Sequence, residues 1–430
     1  MPKKIAIIGG GFAGTMVIRQ LIDQGFQGEI TRFHHADSET LGPAYRKDSG
    51  DLLLNVRSQN MSAFPEDPEH FVRFLEAEHP EISHPRAFVP RSIYGNYLQS
   101  IWTETKSKAK QNLVRFDLKQ EDFNNFEDFD MLVLATGNEL PRIPKELPKT
   151  VVESAFYQGN PWKLELETMN KNLPIFILGN GLTMVDTVLR LRTAGFHQKI
   201  VALSTHGFNM LAHPEEELSI VTAQPKQTDL ISLVHYFNDE RKKRSEAQFL
   251  LSIDALRPQF SLWWQGFTTE EKRTFLKRFR HMWGTVRHRI PSAIAKKIEL
   301  ERASGQLEVC AGKLLSAALH KGQLLIQFRS GESIHTGHFT CLINCTGPET
   351  SIEKMSNPVL QELAKRKWIT ADEVNQGIDI HPEKLRVLGK APMSIYALGN
   401  LCKGTLWEST AIGELRTQAK LIAKGILSEK

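Results

Sequence analysis

Lys4-Ile5-Ala6-Ile7-Ile8-Gly9-Gly10-Gly11-Phe12-Ala13-Gly14 is the stretch on which the fold turns. Lys4 to Ile8 is a short apolar run of the kind that parallel sheets cover on both faces. It ends in Gly-x-Gly-x-x-Gly, and each glycine has a physical task. Gly9 permits a tight turn after the strand, Gly11 lets backbone N–H groups approach a diphosphate, and Gly14 lets the next helix pack closely on the strand. Phe12 and Ala13 begin that helix, whose N-terminus is an anion site. Val17, Ile18, Leu21 and Ile22 continue at helical spacing, Gly25 stops the helix, and Glu29 to Phe33 reads as a second strand. Strand, glycine turn, helix and strand in this order predict a dinucleotide-binding unit, with Gly9, Gly11, Phe12, Ala13 and Gly14 on the cofactor.

One part of the pattern departs. The residue ending the second strand is commonly acidic and binds ribose hydroxyls, about 20 residues beyond the last glycine. Here the chain has His34 and His35. The His34 imidazole is the candidate for that contact, with Asp37 or Glu39 as substitutes.

A second unit follows. Leu173 to Leu178 is another buried strand, running into Gly179-Asn180-Gly181-Leu182-Thr183-Met184. Val185, Val188, Leu189 and Leu191 mark its helix, Gly195 ends it, and Lys199 to Leu203 is the return strand. Met184 stands where the third glycine would sit, which widens helix–strand packing and leaves the phosphate turn intact. Gly179, Gly181, Leu182 and Thr183 are its cofactor candidates. Ser204, Thr205 and His206 close the return strand without a carboxylate. That disfavours NAD, and the Thr205 hydroxyl with an imidazolium suits the extra phosphate of NADP, NAD remaining possible.

Two strands end in small-residue turns, Ala135-Thr136-Gly137 and Asn344-Cys345-Thr346-Gly347, as expected where the chain leaves one nucleotide domain for the other. Thr136 and Gly137 join the cofactor-binding candidates. Ile395 to Asn400 is a late strand close to a helix start at Glu408-Ser409-Thr410, adding Gly399, Asn400, Ser409 and Thr410. The fold expected is α/β, with two Rossmann-like dinucleotide-binding domains. The first is split, over 1–150 and 320–430, and the second is inserted at 151–319. A helical insertion lies at about 229–304.

Composition sets the remaining bounds. With 430 residues, 41% hydrophobic and 24% charged, the chain is globular and too long for one ordinary core. Lys plus Arg number 54 against 49 for Asp plus Glu, a small excess spread along the chain that does not argue for nucleic acid. Four cysteines, Cys310, Cys341, Cys345 and Cys402, with no Cys-x-x-Cys pair, fit a reducing compartment. The basic start is interrupted by glycines before a signal peptide's apolar core is reached, and no segment has the ~20 apolar residues of a membrane helix. A cytoplasmic protein without metal or membrane is expected. In the insertion, Trp263, Trp264, Phe267, Phe275, Phe279 and Trp283 alternate with Lys and Arg. A substrate platform and an amphipathic helical pair with aromatic core both fit, the second being the commoner arrangement. His213 reads as a loop-packing residue.

The motifs together resemble bacterial FAD/NAD(P)-binding proteins related to flavin-dependent monooxygenases. Besides the glycine turns, the resemblance rests on Leu41-Gly42-Pro43-Ala44-Tyr45, Leu53-Leu54-Asn55-Val56, Met61-Ser62 and Phe88-Val89-Pro90-Arg91 with Tyr94-Gly95 and Tyr97-Leu98. It continues in Asn344 to Pro348 and in Leu406-Trp407-Glu408-Ser409-Thr410-Ala411. It implies FAD on Gly9, Gly11, Gly14 and the Gly399 segment, with Asn400 where such proteins commonly carry an Asp. It also implies an isoalloxazine lined by the segment from Ala44 to Ser62, with Asn55, Gln59 and Ser62 as polar candidates. Turn and cap chemistry accounts equally well for those three. Trp283 with Arg287-His288-Arg289 matches a recurrent family feature and suggests a cofactor-phosphate or substrate-anion role.

The activity this implies is an FAD-dependent, NAD(P)H-using oxidoreductase, extending to hydroxylation of a small substrate by analogy of fold. No catalytic residue is evident. The alternatives are a flavin or nucleotide sensor without turnover and, less favoured, a disulfide reductase. Baeyer–Villiger chemistry is disfavoured, because the Phe-x-Gly-x-x-x-His-x-x-x-Trp fingerprint is absent. Gly11→Val is expected to block the diphosphate while sparing the fold, so the purified variant is soluble and colourless. Full yellow flavin absorbance in that variant would overturn the first-unit assignment.

Overall fold

The structure is a computed structural model that describes residues 2–34, 42–46, 52–109, 114–119, 125–215 and 222–429. His35, Asp37, Glu39 and Leu41 lie outside the described residues. The chain divides into two compact units, Met1–Glu139 with Gln259–Thr269 and Thr350–Lys430, and Leu140–Pro258 with Glu270–Glu349. The strands are β1 (Lys4–Ile8), β2 (Glu29–His34), β3 (Val114–Lys119), β4 (Met131–Leu134), β5 (Tyr157–Gln158) and β6 (Ile175–Leu178). They continue as β7 (Ile200–Ser204), β8 (Leu307–His320), β9 (Gln323–Ser330), β10 (Ser333–Phe339), β11 (Leu342–Asn344) and β12 (Ser394–Ala397).

The first unit holds a five-stranded sheet ordered β12-β4-β1-β2-β3, parallel throughout. Ile5 to Ile8 and Met131 to Leu134 are wholly buried, as the apolar runs predict for strands covered on both faces. The helix Phe12–Asp23 starts at Gly11, whose extended backbone serves as its N-cap, and stops ahead of Gly25 at φ +81°. The helix Ile412–Ser428 packs against it. Chain direction across the sheet reverses at β1, with β2 on one side and β4 on the other. Ligands of open α/β sheets bind at such a switch, beyond the carboxyl ends of the strands.

The second unit repeats the arrangement. Its seven-stranded sheet runs β10-β9-β8-β7-β6-β11-β5, with β9 and β10 antiparallel additions to a parallel core. The switch lies at β6, between β7 and β11. The α/β class and the two nucleotide folds therefore stand as predicted. The boundaries differ from 150 and 320. Residues 140–150 and 320–349 lie with the second unit, because β9, β10 and β11 extend its sheet and Glu349 N donates to Leu140 O at 3.1 Å.

The insertion is helical, with helices from Leu230–Lys243 to Ser292–Ala303. Most of its aromatics are core, Trp263, Trp264, Phe267 and Phe275 being buried. Its stretch Gln259–Thr269 belongs to the first unit. There Trp264 Nε1 donates to Gly404 O at 2.7 Å, and the indole stacks on Trp407 with centroids 4.8 Å apart. Trp407 sits at φ +59°, ψ −63°, and Glu408 N donates to Leu406 O at 2.7 Å. This is a γ-turn of the rare, strained hand, which persists only where its surroundings hold it. Trp264 holds it. No helix among the described residues is long and apolar enough to cross a membrane.

Removing the clamp separates its parts. Trp264→Ala loses stack and hydrogen bond and is expected to cost about 3–5 kcal/mol, while Trp264→Phe keeps an aromatic face and costs about 1–2 kcal/mol. Urea unfolding of the full chain checks both. Equal midpoints for wild type and Trp264→Ala would refute the clamp.

Candidate dinucleotide sites

Both glycine turns are built on one contact. Gly9 has φ +129°, and a Cβ on it would lie 2.0 Å from Ala135 O. Gly179 has φ +102°, and its Cβ would lie 2.3 Å from Cys345 O. Each also donates its N–H along the return strand, Gly9 to Phe33 O at 2.7 Å and Gly179 to Leu203 O at 2.8 Å. The acceptors of that close approach, Ala135 and Cys345, directly follow β4 and β11. Both continue as Thr-Gly with the glycine at positive φ, +78° at Gly137 and +90° at Gly347. Ala-Thr-Gly and Cys-Thr-Gly are thus equivalent walls beside the two glycine turns.

The first turn is further constrained. A Cβ on Gly14 would meet Gly9 O at 2.1 Å, so the helix rests directly on the turn. Arg32 of β2 is buried, donates from Nη2 to Gly10 O at 2.9 Å, and lies with its guanidinium carbon 4.1 Å from the Trp102 ring centroid. Sequence reading missed this residue. Its one signal is an arginine inside an otherwise apolar strand. Phe12 is buried in the core, Ala13 packs against it, and half-buried His34 ends β2 with its Cβ beside Gly10.

Three of the predicted residues carry buried polar atoms that no protein group satisfies: Thr136 Oγ1, Asn400 Nδ2 and Ser409 Oγ. Buried polar atoms are nearly always partnered, so these three are candidate contacts for a bound polar group. Gln418 ties two of their segments together. Its Oε1 accepts from Gly399 N at 2.8 Å and its Nε2 donates to Ser409 O at 3.1 Å. This residue too escaped sequence reading, being a lone glutamine on a helix face that is otherwise apolar. Gly399 is at φ +76°, and exposed Thr410 precedes the helix Ile412–Ser428.

The Ser62 hydroxyl bonds Phe64 O at 3.2 Å and Asp67 O at 2.6 Å and accepts from Phe64 N at 3.1 Å, the turn chemistry that its sequence position equally allows. Asn55 lies half-buried in a bend and Gln59 is exposed. The surrounding motifs form one packed block. Tyr94 Oη donates to Met61 O at 2.9 Å, Ala63 N donates to Tyr97 Oη at 3.1 Å, and Arg91 Nε donates to Leu53 O at 3.1 Å. A Cβ on Gly95 would lie 2.2 Å from Tyr45 O.

In the second unit a Cβ on Gly181 would meet nothing within 4 Å, so its outer side is open. Leu182 and Thr183 are half-buried at the helix start, and Thr205 is exposed beyond β7. Asn180 Nδ2 donates to Phe208 O at 2.5 Å, fastening the turn to the loop after β7. Buried Met184 takes the third-glycine place, beside a cavity of about 290 Å³ also lined by Asn180, Asn209, Lys296, Arg302 and Val309. Arg289, only 2% exposed, bonds both oxygens of the partly exposed Asp254 at 2.5 Å and Leu250 O at 3.1 Å. His213 pairs its backbone N–H with Ile290 O at 2.9 Å, as loop packing requires.

The four cysteines are free and buried. Burial pushes the Cys341 thiol up to about 12. Burial, with the negative charge of Asp186 adding to it, pushes Cys345 up to about 12. Cys341 lies 3.7 Å from Met169 Sδ and Cys345 3.5 Å from Thr187 Oγ1.

Residues 6–141 match the family model described as FAD-NAD(P)-binding. The uncharacterized protein YdhS of Escherichia coli (strain K12) is 24% identical over 217 residues, 44% of this chain and 39% of that protein. The match thus spans about two-fifths of that relative's length. Among solved structures, the reduced ornithine hydroxylase PvdA of Pseudomonas aeruginosa superposes with a TM-score of 0.67 at 13% identity, covering 99% of both chains. The bacillithiol disulfide reductase Bdr (YpdA) of Staphylococcus aureus superposes with a TM-score of 0.55 at 11% identity, covering 100% of both. Residues 6–141 are therefore similar to an FAD-NAD(P)-binding domain, and the whole chain shares its fold with the ornithine hydroxylase and the bacillithiol disulfide reductase.

Proposed function

We propose that the chain is an FAD-dependent, NADPH-using monooxygenase that hydroxylates a small nucleophilic substrate, in a cytoplasmic, reducing setting. The observation carrying this reading is the pair of glycine turns, each walled by a Thr-Gly turn at a sheet switch, with unsatisfied buried polar atoms gathered in the first. The residues fit FAD there. The amides from Gly11 to Ala13, at the start of a helix, suit a diphosphate. Thr136, Asn400 and Ser409 supply hydrogen bonds to a polar cofactor. The helix beginning at Ile412 directs its positive end toward the segment that Ser409 and Thr410 occupy. Bound FAD would supply the two-electron chemistry that none of these side chains can perform.

The second turn suits a nicotinamide nucleotide on Gly179, Gly181, Leu182 and Thr183, with Thr205 beyond the strand end. The substrate class follows the fold analogy with an ornithine hydroxylase and is a small amine. Disulfide reduction through the chain's own thiols is poorly supported, since thiolate is the reactive form and burial keeps these protonated at neutral pH.

The purified protein is expected to be yellow, to bleach anaerobically with NADPH faster than with NADH, and to regain colour in air. Ornithine, lysine or a related amine is expected to yield a hydroxylamine product. Flavin that neither nicotinamide reduces would replace this reading with a sensor. The cysteines give a separate check. Ellman's reagent is expected to find almost no reactive thiol in the native chain and all four after denaturation. Rapid native labelling of Cys341 or Cys345 would restore the reductase.

A further inference from the structure

Beyond β7 the nucleotide unit departs from the usual acidic strand end in a specific way. His206, two residues past the strand, stacks on Phe208 with centroids 5.2 Å apart and interplanar angle 14°. Its ring centroid is also 5.0 Å from that of His281. His281 comes from the helix Arg280–Arg287 of the insertion, and Arg280 Nη2 lies 3.4 Å from His281 Nε2. Three basic side chains from two distant parts of the sequence thus converge, and no carboxylate pairs with any of them among the described residues. Partial burial, then the positive charge of Arg280 and of His206, pushes His281 down to about 4. Like-charged groups held this close repel, and an anion among them turns that repulsion into attraction.

The position of the cluster identifies the anion. In a dinucleotide fold the adenosine ribose lies outside the end of the second strand, and basic groups there accept the 2′-phosphate that distinguishes NADP from NAD. Asn180, inside the glycine turn, holds Phe208 O and through it the loop that carries His206. The diphosphate turn and the basic cluster are therefore mechanically joined. We infer that Arg280, His281 and His206 form the 2′-phosphate recognition site of this chain, so that selectivity for NADPH is supplied largely by the helical insertion. Arg280 is the principal ligand, since a guanidinium meets a phosphate with paired donors, and the imidazoles complete the set. This rests on the assignment of the second unit to a nicotinamide nucleotide.

Binding separates the two ideas. The probes are NADP⁺, NAD⁺, 2′,5′-ADP and 5′-ADP, titrated calorimetrically into the full-length holoprotein. Wild type is expected to prefer 2′,5′-ADP to 5′-ADP, and Arg280→Ala and His281→Ala to weaken NADP⁺ and 2′,5′-ADP roughly tenfold to a hundredfold, as for a lost charge-assisted hydrogen bond. NAD⁺ and 5′-ADP should be unchanged, and Arg280→Lys should recover part of the loss. Wild type that prefers NADP⁺ while both variants keep that preference would overturn this inference and leave the nicotinamide assignment standing. Wild type that binds NAD⁺ and NADP⁺ equally would overturn it as well. Wild type that binds neither nucleotide would overturn both. Far-ultraviolet circular dichroism of each variant confirms that the losses are not unfolding.

Discussion

Everything in this molecule depends on a glycine α-carbon pressed against a carbonyl oxygen. At Gly9 and again at Gly179, a methyl group would intrude to about van der Waals overlap with the carbonyl that ends the neighbouring strand, 2.0 Å and 2.3 Å away. The positive φ at both positions adds a backbone penalty for any other residue. The contact lets β1 and β4, and β6 and β11, end side by side while their chains turn to opposite sides. That divergence is what opens a crevice at the switch of an α/β sheet. The fold and the binding chemistry are here one geometric fact.

This local geometry is why so much was legible in the sequence. Spacing among Gly9, Gly11 and Gly14, and the apolar runs before them, involve neighbours in the chain, so pattern alone reveals them. Thr136, Asn400 and Ser409 stand out in the sequence because each lies close to a strand end or a helix start. The residues missed act across long separations. Arg32 reaches back to Gly10, Gln418 spans from Gly399 to Ser409, and Trp264 holds a turn at Gly404 and Trp407. Nothing in the periodicity of a strand or helix says where such a side chain ends. Sequence chemistry is also degenerate: the hydroxyl of Ser62 and the guanidinium of Arg289 suit a cofactor, and in the fold they serve a turn and an ion pair. The boundary at 320 failed because antiparallel β9 and β10 carry no signal of which sheet they extend.

The two nucleotide units share a plan and differ in how they treat polar atoms. The first conceals them. Thr136, Asn400 and Ser409 each hold a buried donor or acceptor, and leaving such a group unmatched costs about 1–3 kcal/mol. Thr136 and Asn400 come from the exits of the neighbouring strands β4 and β12, on one side of the switch, and Ser409 from the segment before the last helix. A protein that accepts such a cost in its bare fold recovers it when a matching group binds, and the linkage makes the group part of the folded state's stability. That pattern suits a resident cofactor.

The second unit exposes its chemistry instead. Gly181 is open, Thr205 and His206 lie at the surface, and Phe208 is 42% exposed. An open approach of this kind suits a nucleotide that binds and leaves. Met184 fits the same logic. A third glycine would draw the helix tightly onto the turn, whereas methionine fills that space with a flexible side chain beside a cavity. The turn is then steadied from outside by Asn180 and its bond to Phe208 rather than by helix packing from below. Both turns keep the backbone contact at their first glycine, and the second adds a side-chain tie to the loop after its return strand. The two units thus differ at the third-glycine position, where Gly14 rests on Gly9 O and buried Met184 fills the same place with a side chain.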